Sequence, residues 1–321
     1  MMIGMGDVAQ RLAASAPAQR ARWHGLTRSD DARARARSAC VLSVSGDLDS
    51  RISLLRAANI ARGGAATIYL APPPNIGSDD PRVKRWIAAR SRTLNRPLRG
   101  ARRLESIRRA ARPRGNRRGT APFTDIYIST TGVYGDRAGD QVSEISTLRA
   151  QSARAARRVA AERRVRKVTG ARMAVLRVPG IYAQTRLPIE RLRERLPALV
   201  ATEDVYTNHI HADDLAHAIW LSLFRARPGR TYNIVDDAEW KMGDYFDRVA
   251  DALGFARPPR MSRGELAKHI TPMMLSFMSE SRRIENTRMK RELLLAMRYP
   301  TPDALLQSMS PTDALQRSFD V

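Results

Sequence analysis

A glycine-rich turn near the start of the chain constrains the fold more than any other feature. The turn, Gly4-Met5-Gly6-Asp7-Val8-Ala9, follows a short apolar run that ends at Ile3 and opens a helical pattern. The first glycine permits a tight turn, the second lets the backbone approach a pyrophosphate, and the small third residue lets the helix pack closely on a strand. This pattern indicates a dinucleotide-binding turn in a βαβ unit. The residues expected to contact such a cofactor are Gly4, Gly6, Asp7, Val8 and Ala9.

Short apolar runs alternate with helical patterns in the first half of the chain, which is typical of βαβ units on a parallel sheet. The expected strands are 2–3, 22–26, 40–43, 66–71, 125–129, 173–178 and 231–234. The expected helices are 7–14, 49–61, 80–91, 147–168, 241–253, 263–270 and 287–297. We therefore expect an α/β fold, with a Rossmann-type doubly wound parallel sheet in residues 1–180. A smaller, more helical substrate domain is expected in residues 181–321, of which 206–225 pack back on the first domain.

The end of the second expected strand bears on the choice of cofactor. A cofactor with a free ribose 2′-hydroxyl is usually met there by Asp or Glu, whereas this chain has Thr27 and Arg28. Because Arg28 can receive a 2′-phosphate, these two residues favour NADP, with NAD as the alternative.

The first strand is short, since only three residues precede Gly4 and central strands usually have about five or six. The natural chain is therefore expected to begin upstream of Met1.

Basic residues are strongly in excess and unevenly placed. The chain has 56 Lys and Arg, of which five are Lys, against 32 Asp and Glu. Residues 1–200 hold 40 basic and 15 acidic side chains, and residues 90–118 alone hold 12 Arg and one acid. So much like charge favours a solvated insertion over a buried element. A nucleic-acid arm is less favoured, because basic arms that bind bases usually interleave aromatic residues and this one has none.

Other protein classes are excluded by composition. No apolar run approaches the roughly 18 residues that span a bilayer, and no secretory signal pattern opens the chain. We therefore expect a cytoplasmic protein without a membrane partner. The single cysteine, Cys40, excludes an internal disulfide and a cysteine metal cluster, and we expect it to be a packed strand residue. His209 and His211 lack an evident third ligand, so no metal site is expected.

Five segments, in order along the chain, resemble the extended short-chain dehydrogenase/reductases, and within them the atypical, sugar-nucleotide-epimerase-like members. They are Gly46-Asp47-Leu48-Asp49, Leu70-Ala71-Pro72-Pro73-Pro74, Ser129-Thr130-Thr131-Gly132-Val133-Tyr134-Gly135, Leu176-Arg177-Val178-Pro179-Gly180-Ile181-Tyr182 and His209-Ile210-His211-Ala212-Asp213-Asp214-Leu215-Ala216. The similarity covers nearly all of residues 1–315. It implies a Rossmann domain that carries NAD or NADP and a small-molecule substrate.

The resemblance also implies roles for individual residues. Thr130 falls on the family's catalytic Ser/Thr position, and Tyr134 is a candidate for acid/base duty. Around the cofactor, Asp47 and Leu48 are implied near the adenine, and Ala71 and Pro72 near the ribose and phosphates. The remaining implied cofactor contacts are Ser129, Arg158 and Pro179.

The helix after the fifth strand departs from the family pattern. Active members carry Tyr-x-x-x-Lys there, with Glu four residues after the Lys, and counting back from Glu162 gives Arg158 and Arg154. A guanidinium stays protonated at any physiological pH, so Arg154 cannot be the acid/base, whereas Arg158 can hold ribose or phosphate oxygens. Besides Tyr134, acid/base duty can pass to Glu144, His209, His211 or Asp213. A third possibility is that no chemistry occurs.

The leading functional hypothesis is an NAD(P)-dependent oxidoreductase, epimerase or dehydratase-like enzyme acting on an anionic, nucleotide-linked small molecule. Arg186, Arg191 and Arg193 would suit a phosphorylated substrate. The second hypothesis is a catalytically inactive NAD(P)-binding sensor or structural protein. The third is a polyanion or nucleic-acid binder that uses residues 90–118. The protein is expected to be a monomer or a homodimer.

Overall fold

The computed structural model describes residues 1–15, 18–61, 66–95, 125–168 and 173–309. The chain forms two compact units, each assembled from three stretches of sequence. Unit 1 comprises Met1–Ser129, Ala156–Leu176 and Ala216–Thr231. Unit 2 comprises Thr130–Ala155, Arg177–Leu215 and Tyr232–Val321.

The described strands are short and most of them join one sheet. They are β1 Met2–Ile3, β2 His24–Thr27, β3 Leu42–Ser45, β4 Ile68–Tyr69, β5 Asp125–Thr130, β6 Gln141–Val142, β7 Met173–Val178, β8 Gly180–Tyr182, β9 Ala198–Leu199, β10 His209–His211, β11 Thr231–Asn233, β12 Arg260–Met261 and β13 Arg283–Ile284. Seven of them form a parallel sheet in the order β11-β7-β5-β4-β1-β2-β3. The strand order reverses at β1 and β4, and ligands bind at such a switch point in open α/β sheets.

Helices connect these strands. They are α1 Asp7–Ala14, α2 Asp30–Ser38, α3 Arg51–Ile60, α4 Pro81–Asn95, α5 Ala153–Val168, α6 Ile189–Arg193, α7 Ala212–Arg225, α8 Met242–Leu253, α9 Arg263–Leu266, α10 Pro272–Phe277 and α11 Pro302–Leu306. The expected α/β class and doubly wound parallel sheet are therefore confirmed. No helix in the described part of the chain is long and apolar enough to cross a membrane.

Local sequence explains where several helices begin and end. The hydroxyl of Ser29 accepts a hydrogen bond from Ala32 N at 3.2 Å and caps α2. The Asp80 carboxylate accepts from the N–H groups of Arg82 and Val83, both at 3.1 Å, at the start of α4. Such caps satisfy first-turn N–H groups that have no partner within the helix. At its other end, α8 stops at Gly254, whose φ of +72° is a left-handed conformation that glycine adopts without steric cost.

Each unit has its own apolar core. Unit 1 packs α3, α4 and α5 against the sheet through side chains that include Ile3, Leu54, Trp86 and Tyr127. Unit 2 packs α8 against β8 and β9 through side chains that include Tyr182, Leu199, Phe246 and Val249.

Several sequence predictions are wrong in detail. The segment α2 was not expected to be helical, because its Arg-Ala repeat buries only Ala36 and shows no apolar stripe. Cys40 is exposed with φ +53° before β3, so it is not a packed strand residue. The helix expected at 287–297 is only a π-helical turn over Met289–Leu293, because Leu294 takes a left-handed φ of +54° and ends it.

Most of the arginine-rich segment, residues 90–118, lies outside the described residues, because one described stretch ends at residue 95 and the next begins at residue 125. Its first residues belong to α4 and are not a solvated insertion. Arg90 is buried, forms an ion pair with Asp125 at 3.2 Å and donates to Ala61 O at 2.8 Å. The buried carboxylate of Asp125 compensates the charge of this one arginine, which is why Arg90 can be packed in the core.

Candidate functional site

The glycine-rich turn between β1 and α1 leaves the N-terminus of a helix uncapped. Gly4 has φ +107°, and a Cβ at this residue would lie 3.0 Å from the backbone N of Ala71, so the turn requires glycine. Gly6 precedes α1 without a side-chain cap, and a Cβ there would meet no atom within 4 Å. The first-turn N–H groups of α1 are therefore available to an anionic group.

The first turn of α1 also carries an acidic residue. The Asp7 carboxylate forms an ion pair with Arg11 at 2.9 Å, which offsets the repulsion that it would exert on a bound phosphate. Ala9 is buried and Val8 is half-buried, so the small third residue of the turn packs the helix on the sheet as its sequence predicts.

At the end of β2, Thr27 and Arg28 have different surroundings. Thr27 is buried, and its hydroxyl oxygen lies 2.6 Å from that of Ser43 on β3. Arg28 is exposed and forms no hydrogen bond or ion pair with any residue that the structure describes. Its guanidinium is therefore available to an external anion.

The loops after β3 and β4 contain the next four predicted cofactor contacts. Asp47 Oδ1 accepts the N–H of Asp49 at 2.8 Å, and Leu48 packs half-buried against the core of unit 1. Ala71 is buried, and Pro72 is exposed.

The neighbouring carboxylate of Asp49 belongs to an ion-pair network. It binds Arg82 at 2.8 Å and Arg85 at 2.7 Å, and the hydrogen bond from Arg82 lowers the pKa of Asp49. The arginines at the start of α4 are thus committed to this carboxylate.

The helix α5 carries Arg158 into a buried position in unit 1. Its guanidinium donates to Ile128 O at 2.9 Å and to the Tyr127 hydroxyl at 3.1 Å. Burial raises the pKa of Tyr127 to about 12, so this phenol stays neutral at physiological pH. Arg158 therefore anchors α5 to the end of β5.

One helical turn along α5, Glu162 is fully buried. It accepts the hydroxyl of Ser129 at 2.6 Å and pairs with Arg166 at 3.2 Å. The Ser129 hydroxyl proton is therefore committed within unit 1.

Unit 2 contains an open cavity of about 610 Å³. Its lining residues are Thr130, Thr131, Gly132, Gln151, Ser152, Arg154, Ala155, Pro179, Gly180, Ile181, Arg186, Tyr206, Thr207, Asn208, Met242, Ser276, Phe277, Ser279, Glu280 and Arg282. Two of the predicted site residues, Thr130 and Pro179, are among them, and so is Arg154. The side chain of Thr130 accepts a hydrogen bond from Gly132 N at 3.3 Å, which leaves its hydroxyl proton free for a ligand.

The charge of this cavity is predominantly positive. Arg154 is exposed and forms no hydrogen bond or ion pair within the described part of the chain. Arg186 is also exposed, whereas Arg282 is held by Glu280 at 2.6 Å and by Gly135 O at 2.8 Å. Three guanidiniums against one carboxylate favour an anionic ligand.

The other two arginines proposed for a phosphorylated substrate do not line the cavity. Arg191 is buried, with its guanidinium 4.6 Å from the ring centroid of Phe246. Arg193 pairs with Glu190 at 2.6 Å.

Tyr134 is not among the lining residues. It is buried, its hydroxyl donates to Asn233 Oδ1 at 2.7 Å, and it accepts from Arg177 at 2.8 Å. Burial raises the pKa of Tyr134 above its ordinary value. Its hydroxyl is therefore already paired within unit 2.

The cavity also contains residues that the sequence did not single out, including Tyr206, Asn208, Phe277 and Arg282. They come from three separate segments, namely the loop before β10, the end of α10 and the loop before β13, so no spacing pattern connects them. The one available signal was the polar run Tyr206-Thr207-Asn208 just before β10.

His209 lies immediately behind the cavity wall. A Cβ on Gly180, which lines the cavity, would lie 3.1 Å from His209 Cδ2, and the ring stacks 4.4 Å from Tyr245. Burial lowers the pKa of His209 to about 4, so the imidazole is neutral at physiological pH. In the described ranges, no three His, Cys, Asp or Glu side chains are grouped in a way that could hold a metal ion.

Comparison with known proteins identifies a family for this chain. A family model described as the NAD dependent epimerase/dehydratase family matches residues 3–235. A functionally unknown conserved protein from Silicibacter pomeroyi is 25% identical, with a TM-score of 0.73 over 99% of this chain and 97% of that chain.

Two further solved structures share the fold at lower identity. A nucleoside-diphosphate-sugar epimerase from Pseudomonas aeruginosa is 15% identical, with a TM-score of 0.70 over 99% of this chain and 97% of that one. A UDP-glucuronic acid 4-epimerase from Bacillus cereus, in complex with NAD, is 12% identical, with a TM-score of 0.66 over 98% of this chain and 99% of that one. No curated protein matches the chain.

Proposed function

Because this chain belongs to the NAD dependent epimerase/dehydratase family, we propose that unit 1 binds NADP or NAD and that the cavity of unit 2 binds an anionic small molecule. The substrate class that we propose is a nucleotide-linked sugar. The reaction is an oxidoreduction, epimerisation or dehydration of that sugar. The names of two structural neighbours, a nucleoside-diphosphate-sugar epimerase and a UDP-glucuronic acid 4-epimerase, support this class.

One observation carries the proposal. Thr130, which stands at the family's catalytic Ser/Thr position by resemblance, lines the same cavity as Arg154, Arg186 and Arg282. A hydroxyl with a free proton can hydrogen-bond a sugar hydroxyl or carbonyl oxygen. Guanidinium groups pair well with phosphate oxygens. The cavity therefore combines a group for the reacting sugar with groups for an anionic carrier.

The residues of unit 1 fit a dinucleotide. The uncapped N-terminus of α1 and the open space at Gly6 suit the pyrophosphate. Asp47 and Leu48 would bound the adenine, and Ala71 and Pro72 would bound the ribose and phosphates. The exposed, unpaired Arg28 favours a cofactor with a 2′-phosphate, so we propose NADP in preference to NAD. The bound dinucleotide would supply a hydride donor or acceptor.

The test is turnover of a panel of nucleotide-linked sugars, read by nicotinamide absorbance for oxidoreduction and by chromatography of the sugar products for epimerisation or dehydration. We expect the unsubstituted protein to turn over a substrate. We expect Thr130→Ala to lower kcat by about a hundredfold, because it removes a hydrogen bond to the reacting oxygen. Thr185→Ala is the matched control, since Thr185 is exposed and does not line the cavity. An equal loss in both variants would contradict the role of Thr130.

A second function remains favoured by one specific observation. Arginines occupy the positions where active relatives carry Tyr and Lys, and Arg158 is bonded to Ile128 O and Tyr127. This supports a cofactor-binding protein without catalysis. Saturable NADP binding, measured by quenching of protein fluorescence, without turnover of any sugar in the panel would select this alternative.

A further inference from the structure

We propose that Tyr206 is a catalytic residue of the unit 2 cavity, exchanging a proton with the reacting oxygen of the substrate. The inference rests on the proposed function, since it concerns the same cavity. Tyr206 would supply the proton donor and acceptor that this chain lacks at the family's Tyr position, because Arg154 stands there and cannot release a proton at physiological pH. Tyr206 lies far from α5 in sequence and is brought to this cavity by the fold.

Two groups contact the ring of Tyr206, the backbone of Gly139 and the guanidinium of Arg283. A Cβ on Gly139 would lie 3.3 Å from Cδ2 and Cε2 of Tyr206, so the ring packs directly on that backbone. The guanidinium carbon of Arg283 lies 5.4 Å from the centroid of the Tyr206 ring, within the range of a cation–π contact. The Nε of Arg283 donates to Gly139 O at 2.9 Å, which joins the two contacts into one support.

The backbone of Tyr206 is fixed as well. Its N–H donates to the hydroxyl of Ser281 at 3.1 Å, and the next residue, Thr207, donates its N–H to Trp240 O at 2.9 Å. Tyr206 also forms an antiparallel bridge with Lys241. A side chain whose backbone and ring are both held loses little entropy when it engages a ligand.

The hydroxyl of Tyr206 is available for chemistry. It makes no hydrogen bond with any residue in the described ranges, and the side chain is only half-buried. The other tyrosine near the family motif, Tyr134, has its hydroxyl bonded to Asn233 and Arg177 and does not line the cavity.

The remaining ionisable side chains of the cavity are less suited. Arg154, Arg186 and Arg282 stay protonated. The carboxylate of Glu280 is bound to Arg282 at 2.6 Å. The hydroxyl of Thr207 lies 3.3 Å from His209 Nε2 and is engaged there. Within the described lining, Tyr206 is therefore the phenol that can give and take a proton.

In the direction that reduces a carbonyl to an alcohol, the neutral phenol of Tyr206 gives its proton to the carbonyl oxygen and becomes a phenolate; the hydride that the carbonyl carbon gains would be supplied by the bound nicotinamide. In the oxidising direction the phenolate takes the hydroxyl proton back, and the bound nicotinamide would accept the hydride. Solvent restores the phenol between turnovers.

The test compares Tyr206→Phe with Tyr134→Phe in the full chain. We expect Tyr206→Phe to lower kcat by about a hundredfold or more, to leave the Kd for NADP and the Tm unchanged, and to remove one ionisation from the pH profile of kcat. Tyr134→Phe is expected to lower the Tm and to leave kcat nearly unchanged, because it removes the buried hydroxyl that donates to Asn233 Oδ1 and accepts from Arg177. Full turnover by Tyr206→Phe, or an unchanged pH profile, overturns the proposal.

A second measurement does not depend on turnover. Tetranitromethane nitrates accessible phenols, so we expect Tyr206 to be nitrated in the free protein and protected when UDP-glucose is present as the probe. Peptide mapping by mass spectrometry reads the position. If the natural chain turns over a substrate but UDP-glucose and that substrate leave nitration of Tyr206 unchanged, the assignment of Tyr206 fails while the proposed function stands. If the natural chain turns over none of the panel, the proposed function fails and the catalytic role of Tyr206 fails with it.

Discussion

At the scale of single residues, the two glycines of the first turn do different work. Gly4 is required by the backbone, because its φ is +107° and any Cβ would meet Ala71. Gly6 has φ −91° and open space around a Cβ, so the protein itself tolerates a side chain there. Glycine at position 6 is therefore explained by what approaches the turn from outside.

This difference gives a paired prediction. Gly4→Ala is expected to lower the free energy of unfolding by about 1–3 kcal/mol, because it strains the backbone at a positive φ. Gly6→Ala is expected to change the free energy of unfolding by only about 0.5 kcal/mol but to weaken NADP binding by about tenfold or more. Urea unfolding and fluorescence titration measure the two quantities. If Gly6→Ala leaves the affinity for NADP unchanged, the pyrophosphate does not bind at this turn.

Residue patterns predicted part of the site and missed the rest for a physical reason. The turn at Gly4 and the residues at the strand ends were recognisable because a parallel sheet brings the carboxyl ends of its strands to one edge. Tyr206 and Arg282 were not, because they reach the cavity through loops and short strands whose partners are far apart in the chain. A pattern within one segment carries no information about such a meeting.

At the scale of elements, the sequence predicted the helices with an apolar stripe and the longer buried strands. The bounds of α1 and β7 agree with expectation, since each has a clear apolar pattern. The helix α2 was missed because it is held by the Ser29 cap and by alanine propensity, with little burial. The prediction of a helix over 287–297 was wrong because one residue in a left-handed conformation, Leu294, ends the helical run.

The attachment of α4 to the sheet gives a prediction at this scale. Arg90→Met is expected to lower the free energy of unfolding by about 3–5 kcal/mol, because it leaves the carboxylate of Asp125 buried and without its cation. The matched control is Arg92→Met, whose parent residue is exposed on the same helix; there we expect a change within about 0.5 kcal/mol. Urea unfolding at one pH measures both. Equal changes in the two variants would contradict the ion-pair argument.

At the scale of the whole molecule, the positive charge separates into different uses. Arg90 and Arg158 are buried and hydrogen-bonded within unit 1, whereas Arg154 and Arg186 line the cavity of unit 2. Most of the charge in the arginine-rich segment lies in residues 96–118, which hold ten Arg and one Glu. This segment is outside the described residues, and its use as a nucleic-acid arm stays a hypothesis.

Deleting residues 96–118 tests that hypothesis, since it lowers the net charge by nine. We expect the shortened chain to keep its Kd for NADP and to lose most of any weak, salt-dependent retention on generic double-stranded DNA. Titrations at several salt concentrations give the slope of the DNA affinity for both chains. DNA affinity that is fully retained after the deletion would place the binding elsewhere on the molecule.

The interleaving of the two units governs how the polypeptide can fold during synthesis. Unit 1 needs Ala216–Thr231, and unit 2 begins at Thr130, before unit 1 is complete. A growing chain therefore leaves the ribosome with the backbone edge of β7 unpaired until β11 follows. An unpaired strand edge is a template for pairing with other chains. We therefore expect slower translation between β7 and β11 to lower the yield of native protein without changing its final stability.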